Sequence, residues 1–207
     1  MLQPLRLDVE PLAGSPPLIE LELLKQHLAV DFPDMDELIE LNLQAAISEF
    51  ENSTHRTVVR RVHRWMLRDF PCNRYQEVVL PRGKTRAVQK VEVVAGGSTV
   101  TLLGPSSGSP AGTGYQEDLG GDDGGTIMPP RGGSWPSPDY DVPAPVTITF
   151  EAGWAADELP ADIQRALMFW CRMGIDDERG SVDATKLEAG RATFEALVSG
   201  HRLSRFY

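Results

Sequence analysis

Val146-Thr-Ile-Thr-Phe-Glu-Ala-Gly-Trp154, followed by Leu159-Pro-Ala-Asp-Ile-Gln-Arg-Ala-Leu167, is the stretch that decides the architecture. Alternating β-branched and aromatic residues mark a strand that runs out through a Gly-aromatic turn. Pro160 then suits the first position of a helix, where its missing N–H costs nothing. Ile163, Ala166, Leu167, Trp170 and Met173 continue at helical spacing and form an apolar stripe. A strand thus ends where a C-terminal helical segment begins.

Working outward, a further helix is expected over roughly Asp183–Val198, with Leu187, Phe194, Leu197 and Val198 inward and Gly200 ending it. On the N-terminal side, Leu21, Leu24 and Leu28 share one helical face, and Asp31-Phe-Pro33 breaks the chain. Asp34 and Glu37 stand at capping-box spacing before Met35, Ile39, Leu43, Ala46 and Phe50, a stripe widened by Leu38 and Ile47. This predicts a long helix ending near Ser53-Thr54.

Between the two helical segments the period changes. Thr57–Phe70 is rich in β-branched and aromatic residues and reads as one long strand closed by Pro71. Further strands are expected at Glu77–Leu80, Ala87–Val94 and Thr99–Leu103, the last two joined by a Gly96-Gly97 hairpin turn. Residues 104–133 hold 10 of the chain's 19 glycines, so a mobile excursion or loosely paired strands is expected there. Trp135-Pro136 is placed to anchor its return. Residues 1–17, with Pro4, Pro11, Gly14, Pro16 and Pro17, read as an extended arm with no packed element.

The predicted fold class is therefore α+β: a small helical bundle of two N-terminal and two C-terminal helices with an inserted antiparallel β module. The parts are an arm at 1–17, a helical core at 18–55 and 155–200, the β module at 56–154, and a tail at 201–207.

Hydrophobic residues at 41% and charged residues at 24% are ordinary globular values. Two cysteines, Cys72 and Cys171, in no CxxC pair, read as reduced structural thiols. No apolar run approaches the roughly 18–20 residues needed to cross a bilayer. The first residues lack the apolar core of a secretory signal. The expectation is a soluble protein with no membrane contact.

The net charge of −10 is unevenly spread. Residues 1–55 hold eleven acidic and two basic side chains, whereas residues 56–90 hold ten basic and two acidic. Such banding favours contact with copies of the same chain or with an acidic partner. Arg56, Arg60, Arg61, Arg64 and Arg68, with Trp65 among them, form a candidate basic strand for inter-subunit contact or for lining a DNA channel. The alternative reading is a nucleic-acid-binding module using strand 56–68.

Motifs for chemistry are missing. His27, His55, His63 and His201 share no metal-ligand spacing, and neither a phosphate-binding glycine loop nor a nucleophile elbow occurs. Gly120–Gly125 lacks the alternating carboxylates of a calcium loop, and Asp176-Asp177-Glu178 reads as a polar helix end. No catalytic residue, metal or cofactor is expected. The segment His201–Tyr207 instead joins forked charge to large rings: Arg202, Leu203, Arg205, Phe206 and Tyr207 are candidates for a docking tail.

Leu67-Arg-Asp-Phe-Pro71, Val79-Leu-Pro81, Trp135-Pro136, Val146–Trp154 and Leu159–Leu167, in this order of helices and strands, resemble the head–tail connector proteins of tailed phages and gene transfer agents. The resemblance implies a non-enzymatic structural adaptor, located at the head–tail junction of a phage-like particle and made in the bacterial cytoplasm. It implies a ring, usually of twelve copies, joining a portal protein to a distal tail or stopper protein, with DNA only as channel contents. It assigns the portal-docking role to His201–Tyr207.

Overall fold

The computed structural model describes residues 4–12, 17–70, 76–105, 114–120, 124–180 and 183–203. The chain is α+β, with four helices and two antiparallel sheets of five and three strands among these residues. The described residues divide into a β unit, within 4–12 and 59–153, and a helical unit, within 17–58 and 154–203.

In the β unit the strands are β1 (Pro4–Pro11), β2 (Arg61–Leu67), β3 (Val78–Val79), β4 (Thr85–Ala95), β5 (Ser98–Leu102), β6 (Gln116–Asp118), β7 (Thr126–Met128) and β8 (Val146–Ala152). The large sheet has the order β1-β2-β8-β4-β5, and the small one β3-β7-β6. The strand read from Val146 lies at the centre of the large sheet. Its Val146, Ile148, Phe150 and Ala152 are all fully buried. The pleat puts Trp65, Leu67, Val91, Val93 and Leu102 on the same face, and Val78, Leu80 and Ile127 join that core. Each such side chain contributes roughly 1.5–3 kcal/mol by leaving water. The opposite face carries Arg6, Asp8, Arg64, Thr147, Thr149, Lys90 and Glu92.

Two turns explain why the strands end where they do. Gly96 and Gly97 have φ of 61° and 75°, the positive values a two-residue hairpin requires, and the Asp139 carboxylate accepts both their N–H groups, at 2.9 and 2.7 Å. Gly153, at φ 116°, closes β8 where any Cβ would fall 2.7 Å from the Cα and N of Arg60. Trp135 does anchor the return of the glycine-rich stretch: it stacks on Phe70 at 4.3 Å and donates to the Gln76 carbonyl at 2.7 Å.

Three expectations change, and a fourth resolves to one of its alternatives. Residues 4–11 are not an unpacked arm but an edge strand, paired with β2 from Pro4 opposite Leu67 to Pro11 opposite Arg61. The strand expected from Thr57 begins only at Arg61. Within 104–133, where a mobile excursion or loosely paired strands was expected, the described residues hold the short paired strands β6 and β7, with β7 against β3. The Asp34–Glu37 capping box is not formed, because Pro33 opens a 3-10 turn over Pro33–Met35 and the helix starts at Asp36 without a side-chain cap.

In the helical unit, α1 spans Leu21–Leu28, α2 Asp36–Thr54, α3 Ala161–Glu178 and α4 Ala184–Val198. Ile39, Ala46, Ile47 and Phe50 of α2 are buried, as are Ile163, Ala166, Leu167, Cys171 and Ile175 of α3. Pro160 serves as the residue flanking α3 rather than its first turn, a one-residue shift. Asp183 caps α4 by accepting the Lys186 N–H at 2.8 Å. Gly190 of α4 is buried against the Met173 thioether, and Phe194 meets Trp170 with ring centroids 4.6 Å apart. Among the described residues no helix is long and apolar enough to cross a membrane.

Candidate functional site

The five arginines singled out in the sequence do not form one basic face. Arg56 precedes β2 and lies in the helical unit, 5% exposed, where its Nε donates to the His201 carbonyl. Arg60 donates from Nε to Glu151 Oε1, and Glu151 is itself buried in the β unit. That hydrogen bond raises the Arg60 pKa against the opposing effect of partial burial. Arg61 and Arg64 differ by an odd number of residues along β2, so the pleat sends them to opposite faces. Arg61 shares the face of His63, Trp65 and Leu67. Arg64 is exposed on the other face, with Asp8 and Thr149 opposite it. Arg68 is exposed beyond the strand's end. Tracking a phosphate backbone needs cations gathered along one surface. This arrangement interleaves them with Asp8, Glu92 and Glu151.

The tail divides into a fastened part and a part outside the described residues. His201 ends a 3-10 turn over Ser199–His201, and its Nε2 lies 2.8 Å from Asp162 Oδ2 at the start of α3. Burial pushes the Asp162 carboxyl up, but the His201 contact and the Ile163 N–H outweigh it and leave the pKa lowered. The His201 ring also stands 6.2 Å from Phe50. Arg202 is ion-paired with Glu195, and the Leu203 N–H donates to the Thr54 carbonyl at 3.0 Å. Thr54 in turn donates through Oγ1 to the Phe50 carbonyl and accepts from the Arg56 N–H. His201, Arg202 and Leu203 thus contact α3, α4 and the C-terminal end of α2 respectively, all within the helical unit. Arg205, Phe206 and Tyr207 lie outside the described residues, as does Cys72.

Two features escaped sequence reasoning. His63 is buried at 2% exposure and stacked on Phe150 at 5.2 Å. Burial, then the charges of Arg82 and Arg61, lower its pKa to about 4. In the helical unit, two adjoining hollows of about 190 and 180 Å³ share Trp170 and Arg191 between α2 and α4. Among the described residues no group of three or more His, Cys, Asp or Glu is arranged to hold a metal ion.

Among the described residues an edge strand, two helices, the remaining strands of two antiparallel sheets and two closing helices, in this chain order, define an α+β fold without a barrel. That fold recurs, over almost the whole chain, in the necks of gene transfer agent particles. A chain from the neck of an empty particle computed with C6 symmetry matches with a TM-score of 0.69 at 20% identity, over 97% of both chains. One from the virion of a native particle matches at 0.66 and 19% identity, over 96% of this chain and 97% of that one. Another, from the neck of a native particle computed with C12 symmetry, matches at 0.64 and 19%, over 97% of each. No family model matches the sequence, and no curated protein matches it.

Proposed function

We propose that this chain is a structural head–tail adaptor of a phage-like particle, one that forms a ring joining the portal protein to the next tail component. The observation that carries the reading is the end-to-end likeness to neck chains, 97% of both partners at a TM-score of 0.69. A domain shared by unrelated proteins would match over part of a chain. Here the match spans 97% of this chain and 97% of the neck chain. The C6 and C12 symmetries of two neighbouring structures support a ring of copies. The role is one of surfaces rather than catalysis, and DNA is only the content of the channel.

Within this role the docking segment is narrowed to Ser204–Tyr207. His201–Leu203 fix its point of departure beside α2 and α3. Arg205, Phe206 and Tyr207 then offer a partner the residue types that dominate interface energetics. Deleting residues 204–207 is expected to leave the thermal midpoint unchanged and to abolish co-sedimentation with purified portal rings. Particles from a strain lacking the gene are expected to be full heads without tails. Normally tailed particles from that strain would refute the adaptor role. Undiminished portal binding by the truncated chain would refute the docking assignment alone.

A further inference from the structure

Among the described residues no further strand pairs with β1 beyond β2 or with β5 beyond β4. Just past β5, Leu103 bridges Gly114 and its carbonyl accepts the Tyr115 N–H at 3.0 Å, which leaves Ser98–Leu102 as the open part of that rim. The two rims complement each other in length, direction and facing.

On β5, the two-residue turn makes Ala95 and Ser98 the closing hydrogen-bonded pair. The alternation that follows turns the N–H and C=O groups of Thr99 and Thr101 away from β4, toward the rim. Ser98-Thr-Val-Thr-Leu102 carries no lysine, proline or charge, the devices by which exposed edges usually resist pairing. On β1, Pro4 and Pro11 have no N–H to donate and bound a six-residue window, Leu5–Glu10, close to the five residues of β5.

Four antiparallel steps separate β1 from β5, so the two strands run in the same direction. Their apolar side chains also share a face. Leu7 stands opposite Trp65 and Val9 opposite His63 at one rim, and Val100 stands opposite Val93 at the other. Val9 is 45% exposed and Val100 42% exposed, so the apolar layer of the sheet runs uncovered to both ends; Leu5, 47% exposed, sits at the register shift between Pro4 and Arg6. On the reverse face Arg6, Asp8 and Glu10 of one rim would meet the hydroxyls of Thr99 and Thr101.

We propose that β5 of one copy takes up β1 of the next copy as a parallel sixth strand, so that copies join head to tail through a shared sheet. Joining unlike edges satisfies both rims and repeats without limit until the rotation closes a ring. Pairing β5 with β5 would instead be antiparallel and two-fold, would stop at two copies, and would leave Leu5 and Val9 exposed. This deepens the ring reading above and rests on it, but it fails by a separate measurement.

The test uses the full chain with Cys72→Ser. V100C is mixed at high concentration with L5C, L7C or V9C and oxidised. Adjacent strands lie about 4.8 Å apart, within disulfide reach. Mixed disulfides are expected between V100C and at least one of these three, and none with R6C or D8C, whose side chains lie on the reverse face. T101P removes an outward N–H that β4 does not use, and it is expected to weaken self-association about tenfold. V100K, which sets a charge in the new contact, is expected to do the same, and either variant suffices if the other fails to fold. No mixed product at any concentration, V100C pairing chiefly with itself, or equal yields from R6C and L7C would each overturn the proposal. So would oligomers of T101P and V100K as strong as those of the parent chain, a result that would leave the neck reading standing. That reading falls only if tailed particles form without the chain.

Discussion

Acid titration of His63 is the most direct measure of how tightly the large sheet is packed. The side chain is 2% exposed, stacked on Phe150, and faced by the charges of Arg82 and Arg61. In the unfolded chain it titrates near 6.5, and in the folded one near 4. The folded pKa is depressed, so between these values the unfolded state binds the proton and the folded state does not. Stability from this group is therefore full above pH 6.5, falls as the pH drops through the window, and is lost by pH 4. A displacement of about 2.5 units at 1.36 kcal/mol each gives a loss of about 3 kcal/mol. Urea unfolding from pH 7.5 to 4, measured for the parent and for His63→Gln, isolates this group from the carboxylates that titrate in both. With a slope of roughly 2 kcal/mol per molar, the difference between the two midpoints is expected to change by about 1.5 M over that range. The proton NMR signal of the His63 ring should titrate near pH 4. Parallel pH profiles for the two proteins, or a ring midpoint at or above 6.5, would show that the site is wetter than the structure has it.

Gly153→Ala forces a Cβ onto Arg60 Cα and N, backbone atoms that cannot step aside, at a φ of 116°. Strain and overpacking together should cost about 4 kcal/mol and lower the melting midpoint by about 10 °C, whereas Gly180→Ala, with open space at φ 67°, should cost about 1 kcal/mol; equal midpoints for the two variants would contradict this. Cys171 is fully buried beside the Ile39 carbonyl, and burial raises its pKa to about 11. In a Cys72→Ser background at pH 8 its reaction with a thiol reagent should be about 100-fold slower than that of an ordinary thiol from ionisation alone, and fast labelling of the native protein would count against this packing.

What could be read from the sequence was what depends on near neighbours. The apolar stripe of α2, the Gly96-Gly97 hairpin and the Gly153-Trp154 exit are each set by residues within one or two turns of chain, and each forms where expected. The edge strand β1 was hidden by its own boundaries. Pro4 and Pro11 read as loop punctuation, although Leu5, Leu7 and Val9 alternate with Arg6, Asp8 and Glu10 between them. Its partner β2 is some fifty residues away, and only that pairing turns the alternation into a strand. The same holds for β6 and β7, three residues each, which exist because β3 gives β7 a ladder to join.

The basic band shows how charge counted along a chain misleads. Ten cations over residues 56–90 suggest a surface, but a strand distributes its side chains by parity, and adjacent arginines are separated by construction. Arg60 and Arg61 must diverge, and Arg61 and Arg64, three apart, must do so again. That much follows from numbering once the strand is accepted. The remainder follows only from tertiary contacts: Glu151 claims Arg60 from the middle of the sheet, Asp8 stands beside Arg64 from β1, and the His201 carbonyl draws Arg56 out of the strand altogether. Within each copy Arg60 is ion-paired with Glu151 and Lys90 with Glu92, while Arg64 and Arg68 stay exposed. If copies meet through β1 and β5, their attachment should depend little on salt, because backbone hydrogen bonds and the apolar rims of the sheet, not the arginines, would hold them together.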